Sequence, residues 1–270
     1  MVDGMISSNT FILCRCVAGT ILFWLVDLLF VREKVENKDF PYLMLLAVFG
    51  IALNQLCFFA GLELTSPIHG SLIMVLTPIL VLVLSLFILK EKITLLKGAG
   101  IILGLSGAVV LILMGGSAGG QASIKGDFLI LINASSYGLY LVLLKRIIAK
   151  YNVITIVKWA YTFGLLYVIP FGWSGVDDIV WSSFTNNHWI AFWYVLICTT
   201  FLAYMFNAYA LNYVKPTTVS AYIYLQPFIA TSISIAVGQD TLDTIKVLAA
   251  SLIFSGLFLV AYRKKPVLKS

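Results

Sequence analysis

Nine apolar runs, each close to 20 residues, constrain this 270-residue chain more than any other feature. At 1.5 Å per residue, ~20 apolar residues in a helix cross a hydrocarbon core ~30 Å thick. The runs are Met5–Val31, Pro41–Leu62, Ile68–Leu89, Leu95–Met114, Asp127–Leu144, Val153–Gly172, Trp189–Leu211, Thr217–Val237 and Ile245–Tyr262. Alternating ten-residue strands, the mark of a membrane barrel, are absent. Only 11% of the residues are charged and 61% are hydrophobic, against roughly 25% and 45–50% in soluble domains. That charge cannot cover a water-facing surface. The expected fold is an all-α polytopic membrane protein.

Basic residues set the orientation. Arg32, Lys34, Lys38, Lys90, Lys92, Lys97, Lys145, Arg146, Lys150, Lys215 and a tail with Arg263, Lys264, Lys265 and Lys269 fall on one side. Lys125 and Lys246 fall on the other, and Arg15 and Lys158 lie within runs. The positive-inside rule therefore expects a cytoplasmic C-terminus and an external N-terminus, in a bacterial-type plasma (inner) membrane. The net charge of +6 is spent on this asymmetry and does not call for nucleic acid. The first run has no basic leader and is long enough to span, so no cleavable signal peptide is expected.

The second half repeats the first at an offset of 149. Residues 53–113 align with 202–262 without a gap, with pairs such as Pro67/Pro216, Ser71/Ser220, Pro78/Pro227 and Lys97/Lys246. Equivalent loops, Thr65-Ser66-Pro67 and Val214-Lys215-Pro216, fall on opposite sides. That is an inverted-topology repeat, an architecture of secondary transporters. The expected division is a four-helix repeat at 1–114, a Gly-rich linker at 115–126, a five-helix repeat at 127–262 and a basic tail at 263–270. The run Asp127–Leu144 has no mate ahead of Met1, so the first repeat lacks its first helix, by truncation or as a natural nine-helix form. The vacant groove is expected beside the second and third runs, leaving Asn54 and Gln55 facing lipid or a neighbouring chain.

Several stretches carry a family resemblance: Arg15, Asn54-Gln55, Phe58-Phe59-Ala60-Gly61-Leu62, Leu76-Thr77-Pro78 and Lys90-Glu91-Lys92 in the first half. In the second half they are Gly126-Asp127-Phe128, Tyr204, Asn207-Ala208-Tyr209, Lys215-Pro216-Thr217 and Leu225-Gln226-Pro227. In order and spacing the chain resembles the drug/metabolite transporter (DMT) superfamily, specifically its ten-helix EamA-type members. The resemblance implies metabolite transport, with export as the expected direction, and a cavity that the family's first helix helps to line.

Polar stripes mark the candidate site. Asn133, Ser136, Tyr137 and Tyr140 share one helix face; Thr200, Tyr204 and Asn207 share another; Tyr222 and Gln226 a third. The offset pairs Tyr204 and Asn207 with Gln55 and Phe58, and Gln226 with Thr77. Amides facing hydrocarbon are costly, so these stripes face protein or a cavity. The expected substrate-binding set is Asn54, Gln55, Phe58, Thr77, Asn133, Tyr137, Tyr140, Tyr204, Asn207, Tyr222 and Gln226. The alternative for each is helix–helix hydrogen bonding. Pro78 and Pro227, read as mid-helix, free the carbonyls of Met74 and Ile223 and are either structural kinks or hinges. Arg15 is either a paired structural arginine or an anion ligand. Lys158 is expected to reach the cytoplasmic interface.

Enzymatic chemistry has little support. His69 and His188 have no metal-ligand spacing, and no nucleophile has a visible base. Glu63, Glu91 and Asp240 are expected at interfaces and Asp27 near a helix end, which leaves no mid-membrane carboxylate. Cys14, Cys16, Cys57 and Cys198 all lie in apolar runs, as buried thiols do. No metal or cofactor is expected; the expected partners are a small-molecule substrate and the lipid bilayer. The function read is a secondary transporter of an amino-acid-like or amphipathic metabolite, working by alternating access. The alternative is a non-transporting membrane subunit or a degenerate, truncated transporter.

Overall fold

The computed structural model describes residues 5–65, 67–92, 94–114, 123–238 and 244–261. The Gly115–Gln121 linker, Asp240 and the basic tail lie outside them. Among the described residues eight helical segments are long and apolar enough to cross a membrane. They are α1 (Ser8–Val31), α2 (Asn37–Leu64), α3 (His69–Leu89), α5 (Ile124–Ile147), α6 (Val153–Gly172), α7 (Asn186–Tyr213), α8 (Pro216–Ala236) and α9 (Thr244–Ala261). Between them α4, Leu95–Met114, adds 20 residues of continuous helix. The protein is an all-α integral membrane protein.

Helix starts follow local capping chemistry. Ser7 accepts from the Thr10 amide, Ser123 from Gly126 and Asn152 from Ile154, each satisfying a donor the first turn leaves open. Thr185 and His188 form a reciprocal capping box that starts α7. That is the role of His188.

Matching irregularities recur at the 149-residue offset. α2 contains a π-helical stretch at Val48–Ala52 and α7 one at Val195–Leu202. Thr65 closes α2 with φ −128° and ψ 167°, and Val214 closes α7 with φ −126° and ψ 170°. α3 breaks between Met74 and Thr77, while α8 passes through a 3-10 turn at Tyr222–Tyr224. Pro78 and Pro227 thus stand in the first turns of new helical pieces, not within continuous helices. A first-turn proline sacrifices no helical hydrogen bond, and the break absorbs its steric demand.

α4 and α9 lie backbone to backbone. A Cβ on Gly100 would sit 2.7 Å from the Gly256 carbonyl, and one on Gly107 2.6 Å from that of Ala249. Glycine is what permits this approach.

α5 decides how the first half is covered. It packs on α2 and α3 and buries Asn54 and Gln55, which are only 9% and 3% exposed. They do not face lipid, contrary to the sequence expectation. α5, which follows the Gly-rich linker, thus shields helices that precede it. The thinly covered surface is on α7 and α8: Phe206, Tyr209, Ile229 and Ile233 are all exposed there.

Lys158 also departs from expectation. It does not reach an interface; its Nζ lies 2.7 Å from Asp27 Oδ2 between α1 and α6, with both side chains almost fully buried. Trp24 covers the ammonium at 4.5 Å.

Candidate functional site

Six helices converge on one central cavity of about 320 Å³. α1 supplies Arg15; α2 supplies Asn54, Gln55, Phe58 and Phe59; α3 supplies Met74. From the second half come Asn133 and Tyr137 on α5, Tyr204 and Asn207 on α7, and Val219, Tyr222, Ile223 and Gln226 on α8. The polar stripes of α2, α5, α7 and α8 therefore meet in one space.

Two residues of the expected set stand behind this wall. Thr77 is fully buried, and its hydroxyl donates to the Met74 carbonyl at 2.6 Å, bridging the break in α3. Tyr140 is also buried, its ring 6.3 Å from Tyr137 and 6.2 Å from Tyr204. It presses on Gly50, where a Cβ would come within 2.3 Å of the ring.

The π stretches explain how the wall is held. A π turn places carbonyls off the regular helical ladder, and such turns cluster at functional sites. In α2, the Phe49 carbonyl accepts from Ser136 at 2.6 Å and the Gly50 carbonyl from Tyr204 at 2.9 Å. In α7, the Thr200 carbonyl accepts from Tyr161 at 3.3 Å, while the Thr200 hydroxyl accepts from Arg15 Nε at 2.9 Å. Asn133 donates to the Asn54 carbonyl at 2.7 Å, and Asn54 donates back to the Asn133 carbonyl at 3.4 Å. Sequence reasoning missed Phe59, Met74, Val219 and Ile223, since apolar residues carry no mark. Met74 and Ile223 had one faint signal: each lies four residues before a proline, 149 residues apart.

The two ends of the cavity differ. At the basic end a wider space of about 990 Å³ is lined by Lys92, Thr94, Lys97, Lys215 and Thr218. Asn207, Val219 and Tyr222 line both spaces, so the two adjoin at these side chains. Glu91 stands beside this mouth, accepting from Lys97 at 2.6 Å and Thr217 at 3.1 Å, with Lys215 at 3.3 Å. At the opposite end α2, α3 and α5 close together. Thr65 donates to Asp127 at 2.5 Å, His69 Nδ1 lies 3.2 Å from the same carboxylate, and Gly126 abuts the backbone of Leu64 and Thr65. Among the described residues no cluster of His, Cys, Asp or Glu could hold a metal.

The sequence pattern of the EamA-like transporter family matches residues 2–113 and again 124–262. This chain belongs to that family. An uncharacterized transporter of Archaeoglobus fulgidus is 25% identical over 93% of this chain and 87% of its own length. The uncharacterized transporter YetK of Bacillus subtilis is 23% identical, covering 89% of this chain and 75% of its own. A solved crystal structure superposes with a TM-score of 0.78 at 17% identity, over 96% of this chain and 90% of that one, and shows the shared fold. The EamA protein is a transporter and not an enzyme.

Proposed function

We propose that this EamA protein is a secondary exporter that carries a small amphipathic metabolite, amino-acid-like in size, by alternating access. The observation that carries the reading is the central cavity. Residues from both family-matched halves line it, and it adjoins a wide mouth at the basic end while Thr65 and Asp127 draw α2 and α5 together at the other. By the positive-inside rule that mouth is cytoplasmic. The two halves, related by the 149-residue offset, are the inverted repeats that rock about the site. The helix breaks beside Pro78 and Pro227 serve as hinges, because backbone turns at element ends absorb such motion.

Comparing metabolites in the medium of bacteria overproducing the chain with those from an empty vector tests this. The expected result is one small solute, or one chemical class, enriched outside and depleted inside. A variant in which Asn133→Leu and Tyr137→Leu strip two polar groups from the cavity wall should abolish the difference. Identical profiles from wild type, variant and empty vector, with the protein folded in the membrane, would overturn the proposal.

A further inference from the structure

Arg15 is the one formally charged residue among the described residues lining the central cavity, and no carboxylate lines it. It stands about 10 Å along α1 at the helical rise per residue. Its Nε is held by the Thr200 hydroxyl at 2.9 Å and its guanidinium lies 5.8 Å from the centre of the Phe59 ring. No carboxylate or hydrogen bond engages its terminal nitrogens among the described residues. Lys158, the buried cation between α1 and α6, is matched by Asp27 at 2.7 Å. A guanidinium without a counter-charge at such depth is costly. Beside it, both amide atoms of Gln55 are buried without a partner, as is Asn133 Oδ1. Unused hydrogen-bonding capacity of this kind costs stability unless something occupies it.

We infer that the transported solute bears a single carboxylate, which pairs with the terminal nitrogens of Arg15 while Gln55 and Asn133 meet a neighbouring polar group of the solute. This deepens the proposed function, since it rests on the cavity being the substrate site. One guanidinium balances one negative charge, and its planar fork matches a carboxylate. A dianionic phosphate would keep an uncompensated charge. The apolar body of the solute lies against Phe58 and Tyr137, and 320 Å³ admits only a compact molecule. Lys92 and Lys215 at the wide mouth attract anions toward it. Thr200 is a positioning residue, fixing the guanidinium through Nε.

The test uses the full chain in nanodiscs of zwitterionic lipid, so that no anionic headgroup competes. Thermal stabilisation is titrated with matched pairs: acetate and acetamide, 3-phenylpropanoate and its amide, 1-naphthoate and its amide, and inorganic phosphate alone. At least one carboxylate should stabilise the protein at about tenfold lower concentration than its amide, the difference one charge-assisted contact makes. Arg15→Gln should erase that preference and Arg15→Lys should keep part of it. Thr200→Val, which leaves the charge in place, should weaken it severalfold without changing the response to the amide. An amide equal to its carboxylate, phosphate better than every carboxylate, a preference that survives Arg15→Gln or is unchanged by Thr200→Val, or no carboxylate acting at all would each overturn the inference. Counterflow of the radiolabelled carboxylate in liposomes separates the two claims. Binding through Arg15 without counterflow removes the transport reading and keeps the anion site; Arg15-independent counterflow of uncharged solutes does the reverse.

Discussion

At the level of single residues, Asp27 and Lys158 show what charge demands inside apolar packing. Each alone would face a heavy desolvation cost; together they offset it through a 2.7 Å contact that Trp24 shields. Removing one partner leaves the other stranded. Lys158→Met alone should lower unfolding free energy in detergent by about 3–5 kcal/mol, whereas Asp27→Leu with Lys158→Met should come close to wild type. A double-variant loss equal to the sum of the losses from Asp27→Leu alone and Lys158→Met alone would mean the pair is not coupled. The tyrosines make a second contrast. Tyr140 buries its hydroxyl without a partner, while that of Tyr204 donates to the Gly50 carbonyl. Tyr140→Phe should therefore leave stability unchanged or raise it by about 1 kcal/mol, and Tyr204→Phe should cost about 1 kcal/mol. Chemical unfolding of the two variants side by side reads the difference.

Among helices, the interruptions matter more than the regular turns. The break in α3 is bridged by the Thr77 hydroxyl on the Met74 carbonyl, and the corresponding part of α8 tightens into a 3-10 turn. If these are hinges, straightening them should trade motion for rigidity. Pro78→Ala with Pro227→Ala should raise the melting temperature yet slow solute counterflow by about tenfold, with solute affinity little changed. Faster counterflow, or loss of binding, would contradict a hinge. Helix extents were legible in the sequence because bilayer thickness dictates them: the runs Leu95–Met114 and Val153–Gly172 coincide with the observed helices. The π stretches were not legible, since an added residue in an apolar run leaves no compositional trace. The Asp27–Lys158 pair was hidden for another reason. Its partners lie 131 positions apart, and only the packing of α1 on α6 joins them.

For the molecule as a whole, polar residues in apolar runs made most of the cavity readable. Asn54, Tyr137, Tyr204 and Gln226 were conspicuous because hydrocarbon does not tolerate them singly. What the sequence hid was which helix covers which half. α5 shields α2 and α3, and α7 and α8 carry the thinly covered face. That crossing ties the halves together at the closed end, where Asp127 of α5 holds Thr65 and His69. We propose that one cavity, adjoining the basic end in this structure, opens alternately to each side. This is tested by thiol labelling of Asn133→Cys, with the four native cysteines replaced, in membrane vesicles of both orientations. A membrane-impermeant reagent should reach residue 133 from either side in the free protein. With Thr65→Cys and Asp127→Cys cross-linked, labelling should persist from the cytoplasmic side and vanish from the outside. Labelling from neither side, or from the outside with the cross-link in place, would contradict alternating opening of the cavity.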